Sequence, residues 1–300
     1  MNDTTLLLGG RIHSPSSPDA TAMAVTGDTV VWVGQDGPGK ALHPGAEVVD
    51  LDGAFVAPAF VDAHVHATAT GLHFSGLDLT GVRDAAGLLA AVREAARPGE
   101  VLIAHGWDET TWTSPRLPSR AELDEAAGGA AAYLSRVDVH SALASSALID
   151  KAADVVPDSP GWSPDGPLTR EAHHHVRAAA RAAISAEQRR NAQDAFLTRA
   201  SERGIVSVHE CAGPDVSGED DLAALLAMAA EPGRPEVVAY WGERDAVDVA
   251  RRHGLRGLAG DLFVDGALGS RTAALCEPYA DRPGSSGARY LDAESIADHL

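Results

Sequence analysis

The sequence predicts an α/β protein: parallel β/α units of a TIM-type (β/α)8 barrel, of which only the N-terminal part is present, preceded by a small β-sandwich. Three observations carry this expectation. Before Pro58, short β-branched and aromatic runs alternate with Gly, Asp and Pro punctuation. After Pro58, longer helical stretches alternate with short strand-like runs, which is the signature of parallel β/α units. The chain of 300 residues is 45% hydrophobic and 22% charged, as in a folded protein with a sizeable core.

The first predicted domain covers residues 1–57. TLLLGGRI, AMAVTGDTVVWVG and AEVVDLDGAFVAPAF supply its strands, and Thr26-Gly27-Asp28 reads as a hairpin turn. The second covers residues 58–300, with an inserted segment over about 85–200. Here Asp84 is placed to cap a helix through LLAAVREAAR, with Gly99 just beyond its end. Ser119 with Glu122, and Ser185 with Gln188, spell capping boxes, the second opening a helix that stops at Gly204. DLAALLAMAA is a further helix, and residues 176–184 have ordinary helix composition. VLIAHGW and AAYLSRV read as strands outside the barrel series. The barrel series itself comprises FVDAHVH, VSVHEC, VVAYWG and LFVDG.

Asp292 is placed to cap a last helix, AESIADHL, which breaks off at Leu300. A barrel needs roughly 250 residues, and four strands leave two open edges and an uncovered core. The sequence reading therefore expects either a fragment of a longer protein or a partner segment that completes the barrel.

With 43 acidic and 24 basic residues the net charge is −19, which argues against nucleic-acid binding and against docking on an anionic membrane. Cys211 and Cys276 are the only cysteines, too few for a disulfide framework; both read as core thiols in a reducing compartment. MNDTTLLLGG has no basic flank and too short an apolar run for a signal peptide, and no stretch approaches a membrane span. A soluble, cytoplasmic protein is expected. Lys40 and Lys151 are the only lysines, so any chemistry needing a lysine amine has two candidates.

The strongest chemical signal is Phe60-Val61-Asp62-Ala63-His64-Val65-His66. Strand alternation sends Asp62, His64 and His66 to one face and Val61, Ala63 and Val65 to the other. Two imidazoles two residues apart on one strand can share one divalent ion, each through a single nitrogen. A pair of hydrogen-bonded surface histidines is the alternative.

The segments GG-x-I, VVDLDG and PAFVDAHVH, followed by GLDLTG, GWDETTW, RLPSRAELD, RVDVHSALASSAL and FVDGALGSRTAAL, occur in an order that resembles the amidohydrolase superfamily. Within it they resemble amidohydrolase family 3, the branch containing N-substituted formamide deformylases. The resemblance covers nearly the whole chain. It implies a composite β-sandwich and a metal-dependent (β/α)8 barrel that hydrolyses C–N bonds. In that family two further histidines and a catalytic, proton-shuttling Asp come from later strands, so no catalytic residue is assigned in this chain. Relatives carry a carboxylated, metal-bridging lysine where DLFVDG has Asp261, and Gly where this chain has Ala59. A carboxylate ligates zinc directly, but its shorter stem cannot span the same gap. Parity in a strand places Asp261, Phe263 and Asp265 on one face, so either acid can serve, and alignment with the family lysine favours Asp261; the alternative is that both acids cap loops or bind Arg. The metal set is then His64, His66 and Asp261. The cofactor is a divalent metal, Zn²⁺ first, as one or two ions.

His140 falls on a family motif associated with the substrate pocket and shares a strand face with Arg136 and Asp138. Asp265 and Arg271 join His140 as candidate substrate contacts, Arg271 meeting either an acidic substrate group or Asp265. Gly266-Ala267-Leu268-Gly269-Ser270-Arg271 reads as a turn bringing backbone near the site; it lacks the Gly-Lys-Ser/Thr ending of a P-loop. His209, on a face with Ser207 and Cys211, reads as a core histidine, and His105 as structural. His173, His174 and His175 diverge by about 100° per residue and read as a solvated helix face. Trp107 and Trp112 read as packing residues or a pocket wall.

The expected function is metal-dependent hydrolysis of a non-peptide C–N bond in a small amide, formamide or cyclic amide, with metal-activated water as nucleophile. The alternative is a truncated or split-gene product, inactive alone. A small-molecule substrate is the expected partner, with self-association into a homo-oligomer left open. A metal-free isomerase or lyase lacks a central lysine base.

Overall fold

The computed structural model describes residues 4–152, 157–214, 216–266, 268, 271 and 273–299. The chain divides into two compact units, Met1–Phe60 and Val61–Leu300, and its fold is mixed α/β.

The first unit contains β1 (Thr4–Leu8), β2 (Arg11–Ile12), β3 (Ala22–Thr26), β4 (Thr29–Gly34), α1 (Asp36–Leu42), β5 (Glu47–Asp50) and β6 (Phe55–Val56). One sheet has the order β4-β3-β1-β5, and β2 pairs with β6 in another. Alternation along β1 buries Leu6 and Leu8 against Ala22 and Ala24. The β3–β4 hairpin turns at the predicted Gly27, whose φ is +59°, with Thr26 opposite Thr29. Helix α1 is an addition to the strands expected of residues 1–57. Pro38 is tolerated there because it lies in the first turn, where backbone N–H groups have no intrahelical partner.

The second unit opens within β7 (Phe60–Val65), which leads directly into α2 (Ala67–Ser75). Next come β8 (Leu77–Asp78), α3 (Ala85–Ala95), β9 (Val101–Trp107), α4 (Arg120–Ala127), β10 (Ala131–Arg136), β11 (Ser141–Ala144), α5 (Ser146–Ile149) and β12 (Leu168–Thr169). These strands form a sheet of order β12-β11-β10-β9-β8. It is covered on both faces. Ala132 and Leu134 of β10 pack with Leu88 of α3 and Leu123 of α4. The alternate residues Ala131 and Tyr133 pack with Ala172 and Val176 of α6 (Arg170–Ala182). Double coverage explains why AAYLSR reads as a nearly continuous apolar run.

Three helix starts form as their local signals require. The Asp84 side chain accepts from Gly87 N–H, and both capping boxes close, Ser119 with Glu122 on α4 and Ser185 with Gln188 on α7 (Ala186–Glu202).

The remaining elements are β13 (Ile205–Ala212), α8 (Glu219–Ala229), β14 (Glu236–Trp241), α9 (Val247–His253) and α10 (Ala293–His299). A second sheet has the order β14-β13-β7, with β13 and β14 parallel. Val65 of β7 and Val208 of β13 pack on Phe196 and Leu197 of α7 and Leu225 of α8. Helix α2 lies so close to α7 that a Cβ on Gly71 would come within 1.9 Å of the Ala192 carbonyl oxygen.

Two strand expectations are corrected. LFVDG forms no regular strand; β14 is met instead by Arg256 and Gly257, through Arg256 N–H to the Ala239 carbonyl and Trp241 N–H to the Gly257 carbonyl. Gly260, at φ +91°, then turns the chain before the apolar run, and Asp265 makes only an isolated bridge with Arg289. RVDVHSA is likewise not one strand: β10 ends at Arg136 and β11 begins at Ser141, with Val139 at φ +56° in the turn between them. Among the described residues no helix is long and apolar enough to cross a membrane.

Candidate metal centre

Strand β7 delivers His64 at its end, and His66 follows as the N-cap residue of α2. Val65 between them is buried against α7 and α8, so the two imidazoles leave on the opposite side. Their rings lie 5.3 Å apart between centroids at 85° to each other. The third member, Asp261, arrives from a loop. The Gly260 backbone before it packs so tightly on Cys211 that an added Cβ would lie 2.9 Å from the Cys211 Cβ.

Asp261 divides its two oxygens between the histidines. Oδ1 lies 3.1 Å from His64 Nε2, and Oδ2 lies 3.1 Å from His66 Nε2. One donor atom from each residue lies within 4.8 Å of the others. Two imidazole nitrogens and a carboxylate oxygen at this spacing suit a tetrahedral divalent cation with ligand bonds of about 2.0–2.2 Å, leaving a coordination position open. Residues behind the site complete the fit. His66 Nδ1 lies 3.1 Å from the Cys211 carbonyl oxygen, and donation to it leaves Nε2 with a free lone pair facing Asp261. Burial holds the His66 imidazole below the ordinary histidine range, against the opposing pull of the Asp261 carboxylate, so the neutral form that ligates a metal is favoured.

The layer beneath is polar and buried. Ala67 N–H donates to Glu210 Oε2 at 2.7 Å, and the Thr68 hydroxyl donates to Asp221 Oδ2 at 2.8 Å. Asp221 also meets Arg189 Nε at 3.1 Å, and Gln193 Nε2 donates to both the Thr68 hydroxyl and the Asp221 carbonyl. Burial pushes the Glu210 carboxyl up to about 8, with further elevation from the nearby Asp221 and Asp261 charges. Burial, aided by Asp261 and Glu210, pushes the Cys211 thiol up to about 11.

The candidate substrate contacts are engaged by neighbours of their own. Asp265 Oδ2 accepts from Ala274 N–H at 2.8 Å. Arg271 pairs with Asp281, its Nε 2.8 Å from Oδ2, rather than with Asp265. His140 is half-buried, and its backbone N–H donates to Asp138 Oδ1. Arg136 is bound by Asp108, Glu109 and Asp138. Of the turn at residues 266–271, Ala267, Gly269 and Ser270 lie outside the described residues.

Of the other expectations, those for His173 and Cys276 change, while Cys211, His105, Trp107 and Trp112 are buried. His173 is not on a solvated face: it is buried, with Nε2 2.8 Å from the Tyr133 hydroxyl, while His174 is exposed. Cys211 is buried but Cys276 is exposed. His105 is buried, stacked on His73 at 3.5 Å with Nε2 on the His73 carbonyl. His209 is half-buried beside Tyr240. Trp107 and Trp112 belong to the core, and Trp107 Nε1 donates to the Leu134 carbonyl. Glu210, Asp221 and Gly260 were missed. Glu210 and Asp221 carry no local signal, and only the Gly-Asp pair at 260–261 hints at a turn.

An amidohydrolase family model matches residues 47–300. The chain belongs to the amidohydrolase family. Over 98% of its length it is 26% identical to the protein LONG AFTER FAR-RED 3 of Arabidopsis thaliana, of which the match covers 55%. It is 28% identical to "Putative amidohydrolase YtcJ" of Bacillus subtilis, over 86% of this chain and 52% of that protein. A crystal structure of an uncharacterized metal-dependent hydrolase from Pyrococcus furiosus superposes with a TM-score of 0.76 at 26% identity, covering 98% of this chain and 64% of that one. The chain thus spans about half the length of the curated relatives it matches.

Proposed function

We propose that His64, His66 and Asp261 hold one divalent cation, zinc first, in a site that hydrolyses a non-peptide C–N bond of a small amide, formamide or cyclic amide. The observation that supports this reading is the convergence of the three donor atoms, with both Asp261 oxygens directed at the Nε2 atoms of the two histidines. Membership of the amidohydrolase family supports the same reaction class.

When bound, a cation at this position supplies Lewis-acid polarisation of the substrate carbonyl and acidifies a water molecule. The chain's own residues do the rest of what is assigned here. His66 presents Nε2 because its Nδ1 side faces the Cys211 carbonyl. Val65 and Val208 form dry packing under the strand that carries the histidines. Asp261 contributes negative charge that offsets the cation's desolvation.

The direct test is metal content of the purified 300-residue chain after zinc loading and gel filtration. About one equivalent in the wild type, falling to background in H64A and H66A, supports the proposal. Background zinc in the wild type rejects it. A screen of formamides, linear amides and cyclic amides with the zinc-loaded chain then addresses the substrate class.

A further inference from the structure

Three consecutive residues, beginning with the second histidine of His-x-His, are each gripped by a distant element. His66 Nδ1 meets the Cys211 carbonyl, Ala67 N–H donates to Glu210 Oε2, and the Thr68 hydroxyl donates to Asp221. Helix α2 has no cap of its own, since its N-cap residue is His66 and makes no side-chain capping bond. Its first N–H is satisfied from β13 instead. Glu210 is 1% exposed, and an apolar residue of similar size would fill that volume without desolvating a carboxyl group. What the carboxyl adds is direction: an acceptor at a single point, aimed at the peptide that joins residues 66 and 67.

We infer that Glu210 is a positioning residue for the His66 imidazole: by accepting the Ala67 N–H it fixes the strand-to-helix turn, so that His66 Nε2 meets His64 and Asp261 while Nδ1 faces Cys211. Adjacent residues of one strand thereby hold the ligand twice, Glu210 through the backbone and Cys211 through the ring. The consequence for metal affinity rests on the site proposed above; the consequence for the orientation of the His66 ring does not.

The test compares the wild type with E210M, which keeps the shape and removes the acceptor, E210D, which withdraws it by one methylene, and E210Q, which retains it. Zinc dissociation constants are measured by chelator competition, ring ¹⁵N shifts of His66 in the metal-free chain, and melting midpoints of the metal-free chain. E210M and E210D are expected to weaken zinc binding by roughly tenfold or more, the usual effect of losing a residue that orients a ligand. In both, the His66 ring ¹⁵N shifts are expected to move away from the wild-type pair of values towards an averaged pair. E210Q is expected to keep affinity and tautomer. If E210M fails to fold, E210D decides the same comparison. Wild-type affinity and an unchanged tautomer in E210M or E210D, with only a lower midpoint, overturn the inference, as does loss of both in E210Q. If the wild type binds no zinc, the proposed function fails, and the His66 tautomer in the same variants still decides the role of Glu210.

Discussion

The Tyr133 hydroxyl and His173 Nε2 meet at 2.8 Å inside the second unit, between β10 and α6, with their rings 6.0 Å apart and nearly parallel at 17°. This imidazole is neutral in the fold. Burial pushes it down to about 3, and Arg177, His174, His140 and Arg181 lower it further by charge repulsion.

Stability should therefore depend on pH through His173. The unfolded chain binds a proton on this group below its ordinary value of 6.5, whereas the folded chain does so only near 3. The stabilisation is complete above 6.5 and lost as pH falls through that window, at about 1.4 kcal/mol per pH unit at most. His173→Gln, which does not titrate, removes this dependence. Denaturant unfolding at pH 5.0 and 7.5 should show the wild type losing more stability on acidification than the variant; equal losses would contradict the assignment.

Asp261 is expected to carry much of the zinc affinity, because each histidine faces one of its oxygens. Asp261→Ala should weaken zinc binding by roughly 100-fold or more, beyond the 10–100-fold typical of outer-shell partners. Asp261→Asn, which keeps one oxygen acceptor and removes the charge, should fall between. Chelator competition measures both, and an Ala variant that binds like the wild type would remove Asp261 from the ligand set.

Gly71→Ala tests the contact between α2 and α7. Its new methyl would press on the Ala192 carbonyl, and backbone cannot yield as a flexible side chain can. Overpacking of this kind costs about 1–3 kcal/mol, against a gain of roughly 0.5–1 kcal/mol from replacing a helical glycine. A lower melting midpoint is expected; a rise would show that the helices separate freely.

What the sequence makes legible is local. The pairing of His64 with His66 across the buried Val65 needs only neighbouring residues, and the capping pairs at Ser119 and Ser185 act within three positions, so each is readable and each forms. The buried side of the site is different. Helix α2 carries no start signal because its first N–H is satisfied by Glu210, 143 positions away. The buried His173 looks like one member of a polar triplet until β10 places Tyr133 against it. Asp261 is singled out from Asp265 only through family resemblance, because DLFVDG suggests a strand where the chain forms none. Alternation and capping are short-range codes, whereas a polar group's partner across the fold is set by topology.

The last expectation concerns Gly260, which places Asp261 through a backbone conformation rather than a contact of its own. At φ +91° it occupies a region that side chains avoid, and its Cα lies against Cys211 with no room for a methyl. Gly257, three residues earlier, has neither constraint: a Cβ there would meet nothing within 4 Å. Gly260→Ala should therefore displace the loop, draw Asp261 away from His66 and weaken zinc binding by roughly the 10–100-fold seen when a ligand loses its support. Gly257→Ala should leave the affinity unchanged. Chelator competition on the two variants, alongside their metal-free melting midpoints, separates a positional effect from general destabilisation. Equal affinities in the two would mean that Asp261 reaches the histidines without the turn.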